Sequence, residues 1–222
     1  SILFSLSLSS QDLFWYDVIL EVDGTNSDEF EETVDTYYSS VDFPEGVNMS
    51  FSSINLKGQG FKETHILSFV SPSSQSLANL RASLSGEKWE NYLDLVGPFV
   101  ENVRVSAGNA TQVYNAEQFY PIGQVWSFKV KSKHVPQFSQ AFAKLMQTFE
   151  APGFVGLANV THGISNGENL LIYGTYPNLN SAFTFGPKNE NEVKAFSQFN
   201  DLVGDISEFT QSWTRVLIKS YE

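Results

Sequence analysis

Between Phe14 and Val22 the chain alternates, with Tyr16, Val18, Leu20 and Val22 on one face of an extended segment and Trp15, Asp17, Ile19 and Glu21 on the other. That period of two predicts a strand with both faces in use. Gly24-Thr25-Asn26-Ser27 breaks it. From Ser27 the apolar spacing changes to Phe30, Val34, Tyr37 and Tyr38, the stripe of a helix reaching to about Val41. Ser27 is placed to cap that helix, and Asp28, Glu29, Glu31 and Glu32 sit near the positive end of its dipole.

Val47 to Leu56 alternates again, Gly58 and Gly60 mark a turn, and Thr64 to Val70 completes a hairpin. Ser71-Pro72-Ser73-Ser74 stops that strand and caps a short helix to about Leu84, with Gly86 just beyond its end. A further helix is predicted from Glu87 to about Val96, then a strand from Asn102 to Tyr114, bulged near Gly108. Residues 122–222 repeat this order. They give a strand over Gly123–Val130, a helix over His134–Phe149, and a hairpin of Phe154–His162 with Leu170–Tyr176. A helix over Asn191–Val203 and a closing strand over Thr210–Tyr221 follow.

Marks recur at matching places: Tyr16 with Trp126, Pro44 with Pro152, Pro72 with Pro177, and Asp94-Leu95-Val96-Gly97 with Asp201-Leu202-Val203-Gly204. Their offsets are 110, 108, 105 and 107 residues, which points to a duplicated domain. A β-α-β-β-α-β unit with right-handed crossovers makes an antiparallel sheet covered on one face only, so two units can cover each other's open faces.

This order resembles the dimeric α/β-barrel superfamily in its tandem, single-chain form. The resemblance implies an α+β fold of two tandem ferredoxin-like units, residues 13–115 and 122–222, joined by a linker at 116–121 and forming a pseudo-dimeric α/β barrel. Members include cofactor-independent monooxygenases, haem-dependent enzymes in which a histidine ligates iron, and stress-responsive proteins. The resemblance rests on element order, with no family-specific motif.

Ser1 to Ser9 carries Phe4, Leu6 and Leu8 in alternation, without the basic start or Met of a signal peptide, so residues 1–12 are expected to form an extended strand. The chain has no cysteine, which removes disulfides and thiolate chemistry. Nineteen Phe, 9 Tyr and 4 Trp promise an aromatic core. The formal net charge of −12 opposes nucleic acid and anionic membranes as partners. Of the charged residues, 16 acidic and 5 basic fall in 1–115, against 9 and 8 in 116–222. No apolar run is long enough to span a membrane. This composition fits a secreted or periplasmic location and equally the cytosol.

Candidate chemistry is sparse. His65, His134 and His162 show no metal-ligand spacing, so no metal or cofactor is expected. His162 ends a strand beside a glycine-rich turn, and with Asn159, Tyr173, Trp126 and His65 it forms the candidate ligand-binding set. Asp17 and Glu21 correspond to Ser127 and Lys131 of the second half, and Ile19 to Lys129. Acidic and basic groups are therefore expected to pair across the two halves inside the barrel. Gly163-Ile164-Ser165-Asn166-Gly167 matches a nucleophile-elbow pattern but joins two antiparallel strands, so it is read as a hairpin loop. The four Trp are read as packing.

Three functions remain. The first is a protein of unknown role binding a small apolar or aromatic ligand or another subunit through the barrel. The second is a cofactor-independent monooxygenase acting on an aromatic or quinone-like substrate. The third is an assembly protein, self-associating through its N-terminal strand. Whether the chain is an enzyme stays open.

Overall fold

The computed structural model describes residues 13–222, and the strand expected over residues 1–12 lies outside them. The first half runs β1 (Leu13–Val22), α1 (Ser27–Tyr38), β2 (Asn48–Lys57), β3 (His65–Ser71), α2 (Ser74–Ser83), α3 (Glu87–Val96) and β4 (Val100–Tyr114). The second runs β5 (Ile122–Val130), α4 (Val135–Met146), β6 (Val155–His162), β7 (Leu170–Tyr176), α5 (Leu179–Phe183), α6 (Glu190–Gly204) and β8 (Ser207–Tyr221). The strands close into one antiparallel barrel in the order β1-β3-β2-β8-β5-β7-β6-β4. Closure removes every sheet edge among these strands. The two seams between first-half and second-half strands are β2 with β8 and β4 with β6.

Alternation along each strand sorts the side chains to two sides of the wall. The outward set of β1, with Leu20 and Val22 at its heart, packs under α1, α2 and α3 against Phe30, Val34, Tyr38, Leu80 and Tyr92. Phe138, Phe142, Leu157, Leu170, Phe199 and Val203 form the matching layer beneath α4 and α6. Each such buried large side chain contributes about 1.5–3 kcal/mol of hydrophobic stabilisation. The inward set, from Ile19, Ile54, Ile66, Val125 and Trp213, meets inside the barrel.

Local details depart from the expectations in informative ways. Ser27 does not cap α1: Asp23 accepts a hydrogen bond from Thr25 N at 3.0 Å across a tight turn at Gly24–Asn26, and Ser27 is already the first helical residue. Ser73 does cap α2, accepting from Ser76 N at 3.1 Å. The helix predicted from His134 begins at Val135, after a tight turn at Ser132–His134. α5 was not expected, because five residues are too few to show a period; Asn178 caps it through Ser181 N at 2.9 Å. The irregularity expected near Gly108 is present, as the β4–β6 register shifts between Ala107 and Gly108.

Candidate functional site

The lumen of the barrel holds a cavity of about 610 Å³. That volume is within the range of small-molecule sites, which run from about 300 to 1,000 Å³. Its wall is mostly apolar, from residues such as Ile19, Ile66, Val125, Leu171 and Trp213. At one end it reaches the rim at Asn48, Pro72 and Glu222, and the 116–121 segment closes over it with Ala116 and Phe119. Gln118 O and Pro121 O pin that segment, accepting from Phe154 N at 2.8 Å and Leu217 N at 2.8 Å.

A short row of polar groups crosses one wall. Asp17 on β1 stands opposite Ser68 on β3 and Ser106 on β4, and Ser68 stands opposite Ser50 on β2; all four line the cavity. Asp17 is half-buried and lines the lumen. Burial pushes its carboxyl up to about 6 from 3.8, and the neighbouring Ser68 hydroxyl with the charges of Arg215 and Arg104 draws it only part of the way back. A carboxyl balanced near neutrality is suited to taking a proton from a bound molecule.

Across the lumen stand Tyr173 and Arg215. Arg215 donates to the Tyr173 hydroxyl, and its Nη1 donates to Pro121 O at 3.3 Å. The guanidinium lies 5.2 Å from the Phe119 ring centre and 5.6 Å from that of Tyr173, within cation–π range of both. Burial raises the Tyr173 phenol above its ordinary range against the opposing influence of Arg215, so it keeps its proton. At the lumen's other arginine, Arg104 Nε lies 3.2 Å from Glu63 Oε1, an ion pair misaligned for a hydrogen bond, with Phe61 stacked on the guanidinium at 5.5 Å.

The residues singled out from sequence are divided by the barrel wall. Tyr173 and Asp17 face the lumen. Trp126 points outward, 5.4 Å from Phe185, into a separate apolar space of about 150 Å³ beneath the helices of the second half. Asn159 alternates with the lumen-lining Ala158 and Val160 and does not line the cavity. His162 is exposed at the end of β6, its Nδ1 2.9 Å from Thr161 Oγ1, so His162, Asn159 and Tyr173 share no pocket. His65 is 3% exposed on the helix side, with Nε2 3.1 Å from Glu31 Oε1 and Nδ1 2.9 Å from Thr64 Oγ1.

The expected charge pairs also fall differently. Glu21 pairs with Lys62 at 3.6 Å inside the first half, and Lys129 with Glu208 at 3.8 Å inside the second. Lys131 is exposed. The charged residues lining the lumen are instead Asp17, Arg104, Glu168 and Arg215, with Glu222 at the rim, and Asp17 feels the charges of both arginines. Arg215 was passed over, although a strand reading of Gln211, Trp213, Arg215 and Leu217 marks one basic residue on an otherwise inward face. The Gly163–Gly167 segment is the β6–β7 hairpin loop, where Ser165 N and Asn166 N donate to Glu168 at 3.4 and 2.6 Å.

No protein-family model matches this sequence, and no curated protein matches it. Solved structures match in fold. A provisionally assigned monooxygenase of Fusobacterium nucleatum aligns with a TM-score of 0.66 and 12% identity, over 95% of this chain and 94% of that one. An anthrone oxidase-like protein aligns at 0.62 and 10% identity, over 96% and 93%. A mutant chlorite dismutase from Candidatus Nitrospira defluvii aligns at 0.56 and 11% identity, over 95% and 92%. These likenesses establish an α+β fold of the dimeric α/β-barrel type.

Haem-dependent members of that fold class raise the question of an iron ligand. His65 is held on the helix side with both ring nitrogens engaged, His162 lies at the end of β6, and His134 precedes α4. None of the three lines either cavity, so no imidazole is placed to ligate a haem iron there.

Proposed function

We propose that the chain is a pair of ferredoxin-like units whose shared lumen binds a small aromatic molecule and oxidises it with dioxygen, without a cofactor. The unit reading is supported by strand order: β4-β1-β3-β2 in residues 13–115 is matched by β8-β5-β7-β6 in residues 122–222, with 116–121 between them. The chemical reading is carried by Asp17, a carboxyl raised to about 6 inside an apolar cavity. The fold neighbours include a provisionally assigned monooxygenase and an anthrone oxidase-like protein, which agrees with this reading at the level of fold.

An anthrone, whose ring system carries an activated methylene, represents the substrate class. Asp17 takes a proton from the activated methylene, and the electron pair left behind delocalises over the ring system and its oxygen. Tyr173, which keeps its own proton, donates a hydrogen bond to that oxygen. The carbanion passes electrons to dioxygen and gains one oxygen as a new carbonyl. The other oxygen leaves as water with the two protons lost by the methylene.

Oxygen uptake against a panel of anthrones and quinols tests this directly. Uptake by the wild type that falls at least about a hundredfold in Asp17→Asn is the expected result, a loss of the size seen when a general base is removed. No uptake with any of the panel, or full activity in Asp17→Asn, overturns it.

A further inference from the structure

Arg215 is 2% exposed, yet among the described residues no carboxylate lies within ion-pairing distance of it. Its recorded hydrogen-bond acceptors, the Tyr173 hydroxyl and Pro121 O, are both neutral. A guanidinium carries five donors, and burying one without an anion is costly. Other carboxylates of the barrel are otherwise engaged. Glu63 sits against Arg104, and Glu168 accepts the backbone N–H groups of its own hairpin. Asp17 is felt by Arg215 only through space across the lumen.

Resting on the lumen being the ligand site, we propose that Arg215, with Tyr173 beside it, receives the carboxylate of an aromatic acid. The planar fork of the guanidinium matches two carboxylate oxygens. Phe119 and Tyr173 flank that fork, and Val125, Leu171 and Trp213 offer an apolar bed for the rings. A substrate anchored this way presents its far edge to the lumen wall that carries Asp17, Ser68 and Ser106. Arg104 is not the anchor, because Glu63 already offsets its charge.

The test compares 2-naphthoate with 2-naphthamide, two ligands of nearly one shape and different charge, by calorimetry and tryptophan fluorescence on the full chain. The expected result is at least tenfold tighter binding of the naphthoate. Arg215→Gln abolishes that preference, Arg104→Gln keeps it, and Asp17→Asn increases it by removing a competing negative charge. Arg215→Lys keeps the charge without the fork and gives an intermediate preference, which serves if Arg215→Gln does not fold. Equal binding of the two ligands overturns the anion site while leaving the lumen as a ligand site. Survival of the preference in Arg215→Gln does the same. Binding of neither ligand overturns both.

Discussion

Gly123 on β5 is the ladder partner of Arg215 on β8, and the missing side chain at Gly123 is the space into which Arg215 and Tyr173 settle. A Cβ at position 123 would stand 2.5 Å from Tyr173 Oη and 2.8 Å from Arg215 Nε. Space, and not a left-handed backbone, makes glycine necessary there. Gly123→Ala is expected to cost about 1–3 kcal/mol of stability through overpacking and to weaken 2-naphthoate binding. Urea denaturation and calorimetry on the same preparation check both, and an alanine variant of wild-type stability and affinity would contradict this account of the pair.

Asp17 sets a second expectation, with a definite sign. Its folded pKa of about 6 lies above the ordinary 3.8, so the folded state holds this proton where the unfolded chain has lost it. Stability from this group is therefore greatest below pH 3.8 and declines as pH rises through about 6. A shift of this size corresponds to about 3 kcal/mol at most. Asp17→Asn is expected to be more stable than the wild type at pH 8 by up to that amount and to lose oxidation activity, the pattern of a site that trades stability for function. Denaturant midpoints at pH 5 and pH 8 decide it; equal midpoint differences at the two pH values would count against a strained carboxyl.

Much of the architecture was legible in the chain because alternation has only two outcomes. Tyr16, Val18, Leu20 and Val22 went to the helix side and Trp15, Asp17 and Ile19 to the lumen, as their period requires. His162 drew attention because it ends a strand beside glycines, yet it is exposed there, and Asn159 on the same strand alternates with Ala158 and Val160, which are the ones facing inward. The lumen's charges were hidden for another reason. Asp17 and Arg215 lie 198 positions apart, and only closure of the barrel at the β2–β8 and β4–β6 seams, which join the two sets of four strands, brings their walls together. Local pattern carries no information about that closure.

His65 gives the opposite pH response to Asp17. Burial lowers its pKa below 6.5, and the Glu31 carboxylate at 3.1 Å only partly opposes this. The neutral ring's contribution is complete above pH 6.5 and is lost as pH falls through the depressed folded value, since the unfolded chain takes the proton first. His65→Gln is expected to flatten the acid side of the stability profile. It also costs about 1–3 kcal/mol by disturbing contacts with Glu31, Thr64 and the ring of Phe30. Midpoints measured between pH 7.5 and pH 5 in wild type and variant test the sign.

Three glycines separate what the fold requires from what the repeated tetrapeptide merely carries. At Gly108 a Cβ would stand 1.8 Å from Asn159 O, backbone that cannot step aside without opening the β4–β6 seam. Gly97 and Gly204, the last residues of the two Asp-Leu-Val-Gly copies, have no atom within 4 Å of that position. Gly204 lies within α6, where alanine is favoured over glycine by about 0.5–1 kcal/mol. Gly97 is helical in backbone but precedes Pro98, which disfavours that conformation for any residue with a Cβ. Gly204→Ala is therefore expected to raise stability, Gly97→Ala to leave it unchanged or lower it, and Gly108→Ala to lower it by more than about 3 kcal/mol, the range of strained core changes. Urea denaturation of the three variants gives the order, and a Gly108→Ala protein as stable as Gly204→Ala would show that the seam yields where the geometry says it cannot.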